Sequence, residues 1–124
     1  MADRTHAGGG RDTSTGRSPA FVLDHEAVVE NRLIISPSEA APANHASTIV
    51  ELEDGGLLAA WFAGEKEGTS GVNIQVTAYD SSAGAWGSPV VVASDPKHPC
   101  WNPVLYRNSL GEVQLYYKVG PSPR

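Results

Sequence analysis

The chain has 124 residues, with nine lysines and arginines against fourteen aspartates and glutamates, which gives a formal net charge of −5. No basic cluster is present to neutralise phosphates, so we expect no nucleic acid partner. A single cysteine excludes an internal disulfide and a cysteine-rich zinc site, and the fold must be stabilised by packing.

Membrane insertion and secretion are not expected either. No apolar run approaches the roughly 18 residues of a membrane helix, and the N-terminus lacks the apolar stretch of a secretory signal. The sequence therefore predicts a cytoplasmic protein, and it offers no motif for a metal or another cofactor.

The chain begins with a segment that has almost nothing to bury. Residues 1–19 are rich in Gly, Ser, Thr, Arg and Asp, so the entropy cost of ordering them is unopposed and a disordered leader is predicted. Residues 20–124 are predicted to form the folded domain. One or two strands are expected between Ala20 and Ile35, and the two prolines of Ser36–Asn44 predict a connector.

A regular β pattern follows the connector. It predicts four short strands, at Thr48–Leu52, Leu57–Phe62, Val72–Tyr79 and Val90–Ala93. Asp54-Gly55 favours a tight hairpin turn between the first two, because Gly adopts positive φ without steric cost. The second strand is apolar throughout, which is typical of a strand covered on both faces, and Trp61 is predicted to lie in the core.

The chain also contains an internal repeat. A shift of 56 positions lays Trp101–Tyr106 on His45–Val50 and Gly111 on Gly55. Two strand–turn–strand units thus share their spacing and their turn glycine. One four-stranded sheet per repeat is typical of a β-propeller blade, and a β-sandwich is the alternative. Both predict an all-β fold.

Three segments together resemble the N-terminal part of the sialidase-like proteins with BNR repeats: NHASTIVELEDGGLLAAWFAGEKEG, HPCWNPVLYR and LYYKVGPSP. The turn Asp80–Trp86 resembles the Asp box of that family, S-x-D-x-G-x-x-W, with one extra residue before the Trp and with Ala78 in place of the Ser. The resemblance implies a partial six-bladed β-propeller of about one and a half blades. It also implies a structural turn in which Asp80 accepts backbone hydrogen bonds, Gly84 turns the chain and Trp86 packs between sheets.

The chemistry that this resemblance implies is hydrolysis of a glycoside of sialic acid or a related acidic sugar. Enzymes of the family grip the substrate carboxylate with three arginines, attack with a Tyr–Glu pair and use an Asp as acid and base. Here His45-Ala46-Ser47 stands where the first arginine is expected, and the loop after Gly64 offers only Glu65 and Glu67 as acids. Glu67 is the candidate catalytic residue, with a charged surface loop as the alternative, and the other catalytic groups are expected in later blades.

The starts of the inner strands line one mouth of a propeller channel, and four residues there are candidates for binding carbohydrate. His45 can bond sugar hydroxyls, with an ordinary hydrogen-bonded loop histidine as the alternative, and Trp101 can either stack on a sugar or pack between blades. Asn102 precedes a proline, is expected to be extended, and presents an amide. Lys118 interrupts an apolar strand and either faces the channel or an exposed sheet face. Cys100 is predicted to be a small buried apolar residue.

Two functions are compatible with these features. The first is the N-terminal fragment of a sialidase-like glycoside hydrolase, inactive by itself because its catalytic set is incomplete. The alternative is a non-catalytic carbohydrate-binding propeller module whose short chains assemble into an oligomer. Carbohydrate is the expected partner in both.

Overall fold

The computed structural model of the chain describes residues 33–35 and 41–124. All the strands of this part of the chain lie in one compact unit, Ile34–Arg124. The predicted disordered leader, residues 1–19, and most of the strand region predicted before residue 36 lie outside the described residues.

The described chain folds into two antiparallel sheets and contains no helix, which confirms the all-β prediction. The first sheet has the order β1-β2-β3-β4, with β5 also pairing with β3, and the second sheet is the hairpin β6-β7. The strands are β1 (Ala43–Glu51), β2 (Leu57–Gly64), β3 (Asn73–Asp80), β4 (Ala85–Trp86), β5 (Val90–Ala93), β6 (Cys100–Arg107) and β7 (Val113–Val119).

The repeat is visible in the turns of the two long hairpins. In the first, Leu52 N–H donates to the Gly56 carbonyl at 2.8 Å. In the second, Asn108 N–H donates to the Glu112 carbonyl at 3.0 Å, and each of these residues stands 56 positions after its counterpart. Gly55 and Gly111 occupy the same place in these turns, with φ of 78° and 83°, where an L side chain is disfavoured.

A β-bulge also recurs at the start of each inner strand. The register shifts by one extra residue between His45 and Thr48 in β1, and between Trp101 and Val104 in β6. Within each bulge a non-glycine residue has positive φ, 54° at Ala46 and 44° at Asn102. The two hairpins therefore share their turn and their bulge at the same spacing, which identifies them as successive copies of one unit.

The core lies along β2 and between the two sheets. Ala59–Ala63 are at most 4% exposed, so β2 is covered on both faces as its composition predicts. On one face Phe62 packs with Ile74 and with Cys100 and Trp101 of the second sheet. On the other face Trp61 packs with Ile34, Ile35 and Trp86. In the first sheet β4 and β5 pair with successive parts of β3, and a hairpin packs on one face of this sheet. This is the arrangement of about one and a half propeller blades.

The structure corrects three local predictions. β1 begins at Ala43, before the predicted Thr48, because the bulge lets the strand continue past Ala46. Leu33–Ile35 is not a strand, although Ile34 and Ile35 contribute to the core. Asn102 is not extended as a residue before proline is expected to be; its positive φ belongs to the bulge, a conformation that asparagine tolerates better than most residues.

The bulge at Ala46 provides a direct test of backbone strain. Replacing Ala46 with glycine removes an unfavourable positive φ and raises the entropy of the unfolded chain, so we expect a net stabilisation of about 0.5–1 kcal/mol. Urea denaturation of Ala46→Gly beside wild type measures it. Ala43→Gly, in the same strand outside the bulge, is the control and should lower the free energy of unfolding. If Ala46→Gly also lowered it, the inference that the backbone is strained at Ala46 would be wrong.

Candidate functional site

The site predicted from the sequence lies at one end of both hairpins. In the ladder of the first sheet His45 pairs with Phe62, and in the second sheet Trp101 pairs with Lys118. The loop from Glu65 to Gly71 joins β2 to β3 at this same end. We call this end of the two hairpins the mouth. It carries all the residues predicted to bind or transform a carbohydrate.

The structure brings His45 and Glu67 together. His45 Nε2 lies 3.9 Å from a Glu67 carboxylate oxygen, and both side chains are about half exposed, at 49% and 52%. The His45 ring also lies on Phe62, with centroids 5.5 Å apart. A strand start and a loop thus present one imidazole and one carboxylate to solvent side by side, as a donor–acceptor pair for hydroxyl groups.

A small cavity lies beside this pair. It has a volume of about 220 Å³, and its lining combines apolar and polar groups: Ile34, Ile35, Asn44, His45, Ala46, Ser47 and Trp61. Ala46 and Ser47, which the bulge in β1 takes out of the regular ladder, both line this cavity. His45 therefore has the Glu67 carboxylate and this cavity as neighbours.

Trp101 is part of the core of the mouth and not of its surface. Trp101 is only 3% exposed, and its ring packs edge-on against the Phe62 ring, with centroids 5.7 Å apart. The indole Nε1–H donates to the Gly120 carbonyl at 2.7 Å. Of the two roles predicted for it, packing describes this placement, because no ring face is open to a sugar.

Asn102 and Lys118 both lie next to Trp101, but their surroundings differ. Asn102 is exposed in the β6 bulge, beside the buried Pro103. Lys118 is partly exposed, and its ammonium group donates to the backbone oxygen of Arg124. The structure thus leaves Asn102 open to solvent and engages Lys118 within the chain.

Cys100 has the environment predicted for it. The residue is fully buried in the cluster of Phe62, Ile74 and Trp101. Burial, followed by the nearby charge of Asp95, raises the pKa of the thiol above its usual value. The thiolate is therefore disfavoured, which suits a packing residue and not a nucleophile.

The Asp80–Trp86 turn lies at the end of β3 opposite to the mouth. The Asp80 carboxylate accepts hydrogen bonds from the amides of Ser82 at 2.8 Å and Ala83 at 3.1 Å. Gly84 has a φ of 65°, and its amide donates to the Asp80 carbonyl at 2.8 Å. Trp86 is partly buried against the Trp61 face of the first sheet and lies 5.4 Å from Tyr79, between ring centroids.

Two residues of the mouth were missed in the sequence. Asn44 accepts a hydrogen bond from Trp61 Nε1 at 3.0 Å and donates to the Ala41 carbonyl at 2.9 Å, so it ties the start of β1 to the core. Phe62 separates His45 from Trp101 and supports both rings. The signal for Phe62 was present, since it ends the fully apolar strand; Asn44 carries no pattern that distinguishes it from a loop asparagine.

Within residues 33–35 and 41–124, no three His, Cys, Asp or Glu side chains come close enough together to hold a metal ion. The same part of the chain has no helix of the length and apolarity needed to cross a lipid bilayer.

Comparison with known proteins gives one match. A family model described as a BNR repeat-like domain matches residues 55–124, which is more than half of the chain. The match runs from the turn of the first hairpin to residue 124 and covers β2 to β7, and β1 lies before it. No curated protein and no solved structure matches the chain.

Proposed function

Because the chain belongs to the family of BNR repeat-like domains, we propose that its mouth binds a carbohydrate and that it forms the N-terminal part of a sialidase-like glycoside hydrolase. The observation that carries the proposal is the half-exposed pair of His45 and Glu67, 3.9 Å apart at the start of an inner strand. Sugar hydroxyls are both donors and acceptors, and such a pair offers them both partners at one point.

The other residues of the mouth contribute to binding in different ways in this proposal. Asn102 adds an exposed amide from the adjacent inner strand. In this proposal Lys118 exchanges its hydrogen bond to the Arg124 backbone oxygen for the carboxylate of an acidic sugar. Trp101 and Phe62 form the floor beneath the pair, so their effect on binding is indirect.

Glu67 is the proposed acid and base of the reaction. Its carboxylate lies in a solvent-accessible loop beside an imidazole, where it can exchange a proton with a bound hydroxyl or a leaving-group oxygen. The arginine set and the Tyr–Glu nucleophile of sialidase-like enzymes have no counterpart at this mouth, where His45-Ala46-Ser47 holds the place of the first arginine. We therefore expect binding by this chain without turnover.

The test compares two loop glutamates that differ in position and not in chemistry. A sialic acid glycoside is titrated into the intact chain and followed by amide chemical shifts of the mouth. Glu67→Gln should weaken binding at least about tenfold, because a hydrogen bond to a charged group contributes about 1.5–3 kcal/mol. Glu65→Gln, in the same exposed loop, is the matched control and should leave the affinity unchanged.

Two results would contradict the proposal. Equal affinities for the two variants would show that Glu67 does not contact the sugar. If the sugar caused no chemical-shift change at His45 in wild type, the mouth would not be a carbohydrate site. A fluorogenic sialoside incubated with the intact chain should release no fluorophore. Clear release would refute the prediction that the catalytic set of this chain is incomplete.

A further inference from the structure

A second loop lies at the mouth, and the proposed function assigns it no role. Residues 94–99 join β5 to β6. Ala93, the last residue of β5, pairs with Ile74 of β3. Ile74 in turn pairs with Phe62, which is the ladder partner of His45. The loop therefore leaves the first sheet at the level of His45.

The other end of this loop is held beside the loop that carries Glu67. Cys100, the first residue of β6, is fully buried, and its amide donates to the Val72 carbonyl at 3.1 Å. Val72 directly follows the loop that carries Glu67. The Pro99 carbonyl accepts a hydrogen bond from the Gly120 amide at 3.3 Å. The two loops are thus joined at their bases, and both border the mouth.

Asp95 holds the backbone of the second loop. Its carboxylate oxygen Oδ1 accepts hydrogen bonds from the amides of Lys97 and His98, both at 2.8 Å. These bonds, with that from Lys97 the larger cause, keep the pKa of Asp95 below its usual value, so the carboxylate stays charged and remains an acceptor. Pro96 and Pro99 restrict φ on either side of this turn. The backbone that carries His98 is therefore well defined.

The same carboxylate orients the imidazole of His98. His98 Nδ1 lies 3.5 Å from Asp95 Oδ1, and the two side chains are 46% and 34% exposed. A carboxylate beside Nδ1 favours the tautomer that carries its proton there, which leaves Nε2 as a hydrogen-bond acceptor when the ring is neutral. A histidine oriented in this way by a carboxylate has its other ring nitrogen available for a ligand.

We propose that the mouth holds the carbohydrate at a second point, where Nε2 of His98 accepts a hydrogen bond from a sugar hydroxyl and Asp95 positions the imidazole. This inference rests on the proposed carbohydrate function and adds one contact to the pair of His45 and Glu67. The ligand then contacts both loops that border the mouth. His98 is a binding residue in this proposal, and Asp95 acts only through it.

The first readout needs no sugar. Long-range proton–nitrogen correlation spectra of the full chain, at a mildly alkaline pH where imidazole is neutral, report which ring nitrogen of His98 carries the proton. Wild type should show the proton on Nδ1. Asp95→Asn keeps a side-chain oxygen for the two loop amides but loses the charge, and it should shift the population towards the Nε2–H tautomer. An Nε2–H tautomer in wild type, or no change in Asp95→Asn, would overturn the positioning role.

The second readout is the affinity for a sialic acid glycoside, measured from amide chemical shifts of the full chain. His98→Asn retains a donor towards Asp95 and removes Nε2, so it should weaken binding about three- to tenfold, as loss of a neutral hydrogen bond does. Asp95→Asn should weaken binding to a smaller extent. Lys97→Gln, in the same turn, is the control and should stay within about twofold of wild type at moderate ionic strength, which screens its charge. Unchanged loop amide shifts in the free variants verify that the turn is intact.

Failure of this inference and failure of the proposed function give different results. If the sugar shifts the resonances of His45 and not those of His98, or if His98→Asn binds as tightly as wild type, only this inference is wrong. Equal weakening by His98→Asn and Lys97→Gln would also overturn it. If the sugar shifts neither histidine in wild type, the carbohydrate function itself is refuted, and the role of His98 with it.

Discussion

Replacing Trp101 with alanine is expected to lower the free energy of unfolding by about 3–5 kcal/mol, the usual cost of truncating a buried aromatic residue. The side chain is 3% exposed, packs edge-on against Phe62 and donates a hydrogen bond to the Gly120 carbonyl, so its removal leaves a cavity and an unpaired acceptor. Urea denaturation followed by circular dichroism measures the loss.

A matched aromatic truncation on the surface is the control for this experiment. Tyr106→Ala removes a side chain that is 55% exposed in the same strand, and its cost should stay near 0.5 kcal/mol. If Trp101→Ala kept its full stability and lost only carbohydrate binding, the packing role would be wrong and the sugar-stacking role would be restored.

Truncation of Ile74 should have the second largest effect, about 2–5 kcal/mol. Ile74 is fully buried in β3, opposite Phe62 and Ala93, and belongs to the cluster that joins the two sheets through Cys100 and Trp101. Ile74→Ala is therefore expected to weaken both sheets. Hydrogen exchange should show faster exchange for the amides of β6 and β7 as well as for those of β3.

Ile49→Ala provides the comparison, since Ile49 is the same residue type at 56% exposure in β1. Its loss should cost less than about 1 kcal/mol and leave exchange in the second sheet unchanged, because less apolar area is removed from contact. If Ile74→Ala altered exchange in the first sheet alone, the two sheets would be separate folding units.

The strands and their arrangement were accessible from the sequence because each of them has a local signal. The alternation in Val72–Ala78, the unbroken apolar run of β2 and the Asp54-Gly55 turn are short-range patterns, and the structure confirms the elements they predict. The 56-residue repeat then related the two hairpins before their contacts were known, and the shared bulge and turns confirm it.

The candidate site was accessible only in part, because burial depends on neighbours that are distant in sequence. The repeat correctly placed His45 and Trp101 at equivalent strand starts. It did not reveal that Trp101 is covered by Phe62 and the Gly120 backbone while His45 remains half exposed. The positive φ of Asn102 was also missed, because a bulge is decided by the pairing of two strands and overrides the local preference of a residue before proline.

The paired bulges have a consequence for how duplicated units diverge. Ala46 and Asn102 hold the same unusual backbone shape 56 residues apart, yet the side chains before them, His45 and Trp101, meet water in one copy and protein in the other. Duplication of a hairpin thus transmits the geometry of a position and leaves its chemistry free to change. Aligning one blade on another therefore predicts where a side chain begins, while the adjoining blade determines what that side chain can do.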